Sequence, residues 1–433
     1  MHNSAISQQF FRYVSLNVLG MLGLSCYILA DTVFVAQGLG ADGLTALSLA
    51  LPVFSFINGV GLMSAMGGGT RFSIAMARGD SPAARRVFHH TLRLAMALSL
   101  VFLACGLFLS GPLSRLLGAR GLIFDMTADY LRLLLLFSPA FILNSTLSGF
   151  ARNDGRPGLA MAAMLAGSLA NIVMDYIFIF PLGLGISGAA AATCCAPIIG
   201  ILILSPHFVR RRASMSKIPF SPGATGRIIS LGMSAFVNEV SGGVVMIAFN
   251  TVILGLMGDT GVAAYGVVAN LAMIVLAVFT GIAQGAQPLI SSSYGGGRHD
   301  EARRIYRMAL LTALICGAAV FLLILLRAEY VADLFNKSGD ALLRLTASRG
   351  LRIYFSGFLF AGCSVIIAAC FSASGFGRQA FAVSACRGFA LILPALFVCA
   401  FAWGMDGVWL SFPITEFLTL IFAQFLLTRT KMW

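Results

Sequence analysis

A chain of 433 residues that is 59% hydrophobic and only 10% charged cannot coat a water-soluble fold, which carries about 25% charge on average. Its net charge of +13 would suit a nucleic-acid binder, but the basic residues sit in short loops between apolar stretches. No basic face is interleaved with aromatics, so nucleic acid is excluded as a partner and the charge reads as topogenic.

A membrane-crossing helix needs about 20 mostly apolar residues. In chain order such segments are predicted at 10–36, 43–70, 88–110, 124–150, 157–181, 186–209, 225–255, 261–290, 304–326, 342–374, 379–402 and 405–428. The first is too long for the apolar part of a cleavable signal and carries Asp31 near its end, so it is predicted to remain as the first crossing. Glycine and proline punctuate the breaks, at Gly38-Leu39-Gly40, Arg78-Gly79-Asp80-Ser81-Pro82, Asn153-Asp154-Gly155-Arg156-Pro157 and Gly295-Gly296-Gly297. The basic stretch from Arg210-Arg211-Arg212 to Gly223, with Pro219 and Pro222, is predicted to link an N-lobe (1–213) to a C-lobe (214–433). The nine cysteines all lie inside apolar segments without a C-x-x-C pair, and the five histidines are scattered. Neither a zinc site nor a disulfide framework is expected, and no cofactor.

With the N-terminus in the cytoplasm, about 21 of the 29 basic residues fall on the cytoplasmic side and about 8 outside. That asymmetry predicts a multi-pass protein of the inner or plasma membrane with both termini cytoplasmic. The two halves also repeat. Ala84-Arg85-Arg86 recurs as Ala302-Arg303-Arg304, and the same offset pairs Gly40 with Gly258, Gly43 with Gly261, Gly67 with Gly285 and Gly79 with Gly297. Six crossings per half is an even number, so both halves share one topology. The expected fold is an all-α integral membrane protein of about twelve helices, in two six-helix lobes related by a pseudo-two-fold axis along the membrane normal. A substrate cavity would lie between them.

A charge at the bilayer centre costs at least ~2.5–3.5 kcal/mol. Asp31, Asp175, Glu239 and Glu416 nevertheless fall inside predicted segments. At 1.5 Å per residue, Asp31, Asp175 and Thr193 lie roughly 8–10 Å below the outer ends of their helices. Asn171 lies one turn below Asp175, and Ala189 one turn above Thr193. Asp31, Asn171, Asp175 and Thr193 can therefore converge as a hard-oxygen set suited to a proton or a small hard cation, not to a soft transition metal. If the two Asp are close, like-charge repulsion and partial desolvation favour holding a proton, which would make the pair a proton carrier. The alternative is a helix-end Asp31 and a locally hydrogen-bonded Asp175. Glu239 and Glu416 either face the central cleft and hold a cationic substrate or are satisfied by Asn238, Ser241 or Thr415. Gln284 and Gln287 either line that cleft or serve as interhelical glue, the reading favoured here. The 35 Phe and 18 Met suit packing, and would suit lipophilic cations where they line the cleft.

These residues together resemble the multidrug and toxic compound extrusion (MATE) transporters, over nearly the whole chain. The resemblance rests on Ala30-Asp31-Thr32-Val33-Phe34-Val35-Ala36 and Gly38-Leu39-Gly40, on Asn171-Ile172-Val173-Met174-Asp175-Tyr176-Ile177-Phe178-Ile179, and on Gly188-Ala189-Ala190-Ala191-Ala192-Thr193. The second half adds Gly281-Ile282-Ala283-Gln284-Gly285-Ala286-Gln287-Pro288 and Gly407-Val408-Trp409-Leu410. Asp31, Asn171, Asp175, Ala189 and Thr193 are similar to the family's N-lobe cation site. The resemblance implies a V-shaped pair of lobes and alternating access, with H+ or Na+ as coupling ion and small organic cations as cargo. A bacterial-type member, monomeric in the lipid, is expected. The chain departs from some members in having no proline in its first segment, only Gly20 and Gly23, and no acidic residue between Arg352 and Ser374. The first puts bending of that helix in doubt, and the second disfavours a sodium site in the tenth segment.

A flippase for lipid-linked saccharides is the alternative by fold analogy. It would need intramembrane arginines for a pyrophosphate, and the basic residues are expected at segment ends. A membrane-embedded enzyme would need a nucleophile–base set or ligands such as H-E-x-x-H, which the sequence lacks.

Overall fold

In lipid every backbone polar group must be satisfied within its own segment, so long apolar stretches can only be helices. The computed structural model describes residues 2–209, 221–336, 340–430 and 432. It runs α1 (His2–Ala77), α2 (Ser81–Phe108), α3 (Ser110–Leu116), α4 (Gly121–Leu136), α5 (Ser138–Asn153), α6 (Pro157–Ile179), α7 (Gly185–Val209), α8 (Pro222–Gly295), α9 (His299–Phe335), α10 (Ala341–Tyr354), α11 (Phe358–Ala373), α12 (Gly377–Ala385) and α13 (Ile392–Thr430). A 3₁₀ turn (Phe355–Gly357) joins α10 to α11, and a π-helical turn (Cys386–Ala390) follows α12.

Three long helices turn back on themselves at a single glycine. Gly40 (φ 67°, ψ −154°), Gly258 (φ 64°, ψ −155°) and Gly404 (φ 59°, ψ −133°) adopt a backbone that a Cβ disfavours. The pair α4 and α5 bends by 48° ahead of Pro139, whose ring removes a backbone donor. Counting these bends, the described residues cross twelve times, at 2–39, 41–77, 81–108, 121–153, 157–179, 185–209, 222–257, 259–295, 299–335, 341–373, 377–403 and 405–430. All twelve predicted segments lie on these crossings. One end of the bundle, the basic end, carries Arg78, Arg85, Arg86, Arg156, Arg298, Arg303 and Arg304. Gly40, Gly258 and Gly404 lie at the other end.

The repeat is visible in the packing. Gly67 leaves no room for a Cβ against the Ile228 carbonyl and the Gly232 amide, and Gly232 likewise abuts Met63. On the other side of the axis, Gly285 abuts Val14 and Gly281 abuts Val18. Shifting by the Gly40-to-Gly258 spacing turns Gly67 into Gly285 and Val14 into Gly232. The second crossing thus packs on the seventh as the eighth packs on the first, which a two-fold axis requires. Hydrogen bonds join the lobes along the same seam. Gln287 Nε2 donates to Thr70 Oγ1 (2.9 Å) and Asn153 Nδ2 donates to Gln287 Oε1 (3.2 Å). Arg78 Nε donates to the Gly295 carbonyl (3.3 Å).

One sequence expectation is corrected. Arg387 does not sit at a segment end. It lies in the π-helical turn inside the eleventh crossing, 15% exposed at its side chain, and its Nε meets Glu416 Oε1 at 2.5 Å. Hydropathy counting tolerated it because one charge in a long apolar segment does not break the window. The predicted linker with Arg210, Arg211, Arg212 and Lys217, and the N-lobe/C-lobe boundary at 213/214, lie outside the described residues, as do Lys337 and Lys431.

Candidate functional site

Four elements bring the N-lobe polar set together. α1 supplies Asp31, α6 supplies Asn171 and Asp175, α7 supplies Ala189 and Thr193, and α4 adds Tyr130. Close approach of α6 and α7 is built into the sequence, because Gly167 faces the Ala196 carbonyl with no space for a side chain. The first crossing reaches α6 the same way, through Gly20 against Met164 and Gly23 against Leu165.

All six side chains are buried. The Asp31 and Asp175 carboxyl groups lie close enough for one, when protonated, to hydrogen-bond the other. With its amide turned to satisfy both neighbours, Asn171 donates Nδ2–H to Asp175 Oδ2 (3.0 Å) and its Oδ1 accepts the Thr193 backbone N–H (3.2 Å). Asp175 therefore has the local partner that the alternative reading foresaw. Even so, Oδ1 of Asp175 and Oδ1 of Asp31 are buried without a hydrogen-bond partner among the described residues. A buried carboxylate oxygen without a donor is costly, and this arrangement leaves two of them side by side. Tyr130 lies beside Thr193, whose Oγ1 is buried without a hydrogen-bond partner among the described residues, and Tyr27 lies one turn before Asp31 near both carboxyls.

Tyr130 and Tyr27 escaped the sequence reading, because a tyrosine in an apolar segment looks like packing. The usable signal was helical phase, which puts Tyr27 on the face of Asp31.

The four candidates for the cavity separate. Glu239 is partly exposed on the seventh crossing and accepts Asn58 Nδ2–H from the second crossing at 2.8 Å, across the lobe boundary. Next to it, Phe236 stacks edge-on against Phe56 with ring centroids 5.9 Å apart. Glu416 is 1% exposed and bound to Arg387, so it faces no open cleft. Gln287 is interlobe glue with Thr70 and Asn153, and Gln284 is buried on the same helix.

A two-lobe, twelve-crossing helical bundle with a buried carboxylate pair in one lobe defines a membrane transporter, not an enzyme. The MatE family model matches residues 18–177 and again 236–397, once in each lobe. The chain belongs to the MatE family. Among curated relatives, it is 27% identical over 379 residues to a multidrug export protein MepA of Staphylococcus saprophyticus subsp. saprophyticus, covering 86% of this chain and 82% of that protein. MepA of Staphylococcus aureus is 27% identical over 388 residues, covering 88% and 84%. A crystal structure of a MATE transporter in complex with MaL6 superposes with a TM-score of 0.92 at 26% identity, covering 99% of this chain and 96% of that one. The outward-facing conformation of a multidrug resistance MATE transporter of the MOP superfamily gives 0.92 at 25%, with the same coverage. A MOP superfamily transporter from Pyrococcus furiosus, whose binding pocket is described as of reversed polarity with a different function suggested, gives 0.90 at 25%, again over 99% and 96%.

Proposed function

We propose that this protein exports cationic lipophilic compounds by antiport with H+ or Na+ through alternating access. The carrying observation is the pair of buried carboxyls, Asp31 and Asp175, each with an oxygen that lacks a donor. Asp31 and Asp175 hold the coupling ion, Asn171 fixes Asp175, and the Thr193 and Tyr130 hydroxyls with the Ala189 turn complete the shell. Glu239, an acid beside Phe56 and Phe236 between the lobes, gives a cationic aromatic cargo charge and ring faces to bind. Multidrug export by the staphylococcal relatives supports a broad, lipophilic substrate range.

The bias of basic residues to one end supports that end, and both termini, being cytoplasmic. The seam of Gly67, Gly232, Gly285 and Gln287 lies toward that end, so the described state is closed there. The division into a 1–213 N-lobe and a 214–433 C-lobe follows the repeat. The protein acts as a monomer, because each lobe finds its partner within the chain. The flippase alternative gains no support: Arg387 is intramembrane but already neutralised by Glu416.

The test is export of a fluorescent lipophilic cation in inverted vesicles, under a pH gradient and a sodium gradient imposed separately. Stimulation by one gradient, lost in Asp31→Asn while the protein remains folded, supports the proposal and identifies the ion. Normal export by Asp31→Asn would sink the site assignment. Failure under both gradients would sink antiport.

A further inference from the structure

At the basic end, where the two lobes meet, the structure holds a cavity of about 340 Å³ that the transport reading does not use. Arg71, Ile74, Ala75, Arg78, Asp80, Ala83 and Val87 line it from the N-lobe, and Arg227, Ser230, Leu231 and Gly375 from the C-lobe. Three arginines therefore line one space against a single acidic residue.

One oxygen of that residue's carboxylate is used in a helix cap, and its single negative charge is outnumbered by the three arginines. Asp80 Oδ1 accepts the Ala83 N–H at 2.9 Å and caps α2. Arg78 spends its Nε on the Gly295 carbonyl. Arg71 has Nη1 buried with no hydrogen-bond partner, and the charge acting on it is that of Arg227, of the same sign. Like charges converging on a cavity, with a guanidinium nitrogen unsatisfied, are unfavourable unless an anion joins them.

We propose that this seam cavity binds a phosphate-bearing anion, held by Arg71, Arg78 and Arg227. Guanidinium forks match phosphate oxygens in pairs, and basic pockets between membrane helices at the cytoplasmic face suit lipid head groups. Arg78 and Arg227 are exposed at crossing ends, where a phospholipid phosphate would sit, while a free phosphate from solution has the same chemistry. Because both lobes line the cavity, the anion bridges them and selectively stabilises the state closed at this end. That consequence rests on the alternating-access reading; binding itself does not.

The experiment reads binding, not transport. The full chain in neutral detergent is titrated with phosphatidylglycerol, with inorganic pyrophosphate and with diacylglycerol, which lacks phosphate. Native mass spectrometry and the thermal midpoint report retention. Phosphatidylglycerol is expected to bind and raise the midpoint, with roughly ten-fold weaker binding in Arg71→Gln. Arg115→Gln, at the opposite end, should behave as the unaltered chain. Arg71-dependent binding of pyrophosphate instead assigns the site to a soluble phosphate. If Arg71→Gln does not fold, Arg227→Gln, altering an exposed side chain, replaces it. Equal binding by variant and unaltered chain, or diacylglycerol acting like phosphatidylglycerol, overturns the proposal.

Discussion

The two lobes share a backbone plan and differ in what they bury. Gly40 and Gly258 have nearly the same φ and ψ, and the seam glycines exchange roles across the axis. Yet the position that the Gly40-to-Gly258 spacing pairs with Asp31 is Phe249. Its ring stacks on Tyr265 with centroids 5.2 Å apart and meets Tyr354 edge-on at 6.3 Å. Tyr354 in turn stacks on Phe412 at 4.2 Å, and Trp409 lies beside Tyr265. The N-lobe keeps carboxyl oxygens unsatisfied at this depth, while the C-lobe fills it with rings. Its buried charges, Arg387 and Glu416, neutralise each other through Glu416 Oε1, although Glu416 Oε2 is also left without a donor among the described residues. Duplication fixed where the chain turns and where the lobes touch, and left the interiors free to take up different chemistry.

That contrast can be broken at its strongest point first. If Asp175 holds the coupling ion as proposed, Asp175→Asn should reduce ion-driven export to background while elution profile and thermal midpoint stay unchanged. Export at the level of the unaltered chain would make the pair a structural one. In the C-lobe the opposite pattern is expected. Arg387→Met leaves Glu416 buried and unpaired, and should cost about 3–5 kcal/mol in reversible unfolding. The double change Arg387→Met with Glu416→Leu should recover most of it, and failure to recover would give the pair a role beyond mutual neutralisation.

Smaller changes sharpen the comparison. Tyr130→Phe removes one hydroxyl next to Thr193, worth about 1 kcal/mol, read as a roughly five-fold rise in the ion concentration that half-saturates export. Maximal rate should hold; a fall in it with no change in ion dependence would count against Tyr130 as part of the ion shell. Phe249→Leu loses ring stacking worth about 1 kcal/mol of stability and should leave ion dependence untouched. An altered ion dependence in that variant would mean the aromatic lobe takes part in coupling.

Much of this was legible before any coordinates. Hydropathy located every crossing because lipid enforces helices, and glycine spacing gave the repeat because positive φ selects glycine. Asp31, Asn171, Asp175 and Thr193 could be brought to one level because depth along a helix is simple arithmetic. What surrounds them sideways depends on how neighbouring helices rotate, which residue spacing does not encode. So Tyr130 beside Thr193, Asn58 opposite Glu239 and Arg387 beside Glu416 emerged only from the structure. Arg387 was hardest to foresee, because a π-helical turn shifts the phase of the segment that carries it.

The Arg387–Glu416 pair also bears on how the chain is made. The arginine belongs to the eleventh crossing and the glutamate to the twelfth, joined only by the bend at Gly404. Each alone would enter the bilayer with a bare charge near mid-depth, a penalty on the order of 2.5–3.5 kcal/mol per helix. Entering together they neutralise one another on the way in. The last two crossings are therefore expected to leave the insertion machinery as a single hairpin, and a chain truncated at the bend would strand its final helix at the membrane surface.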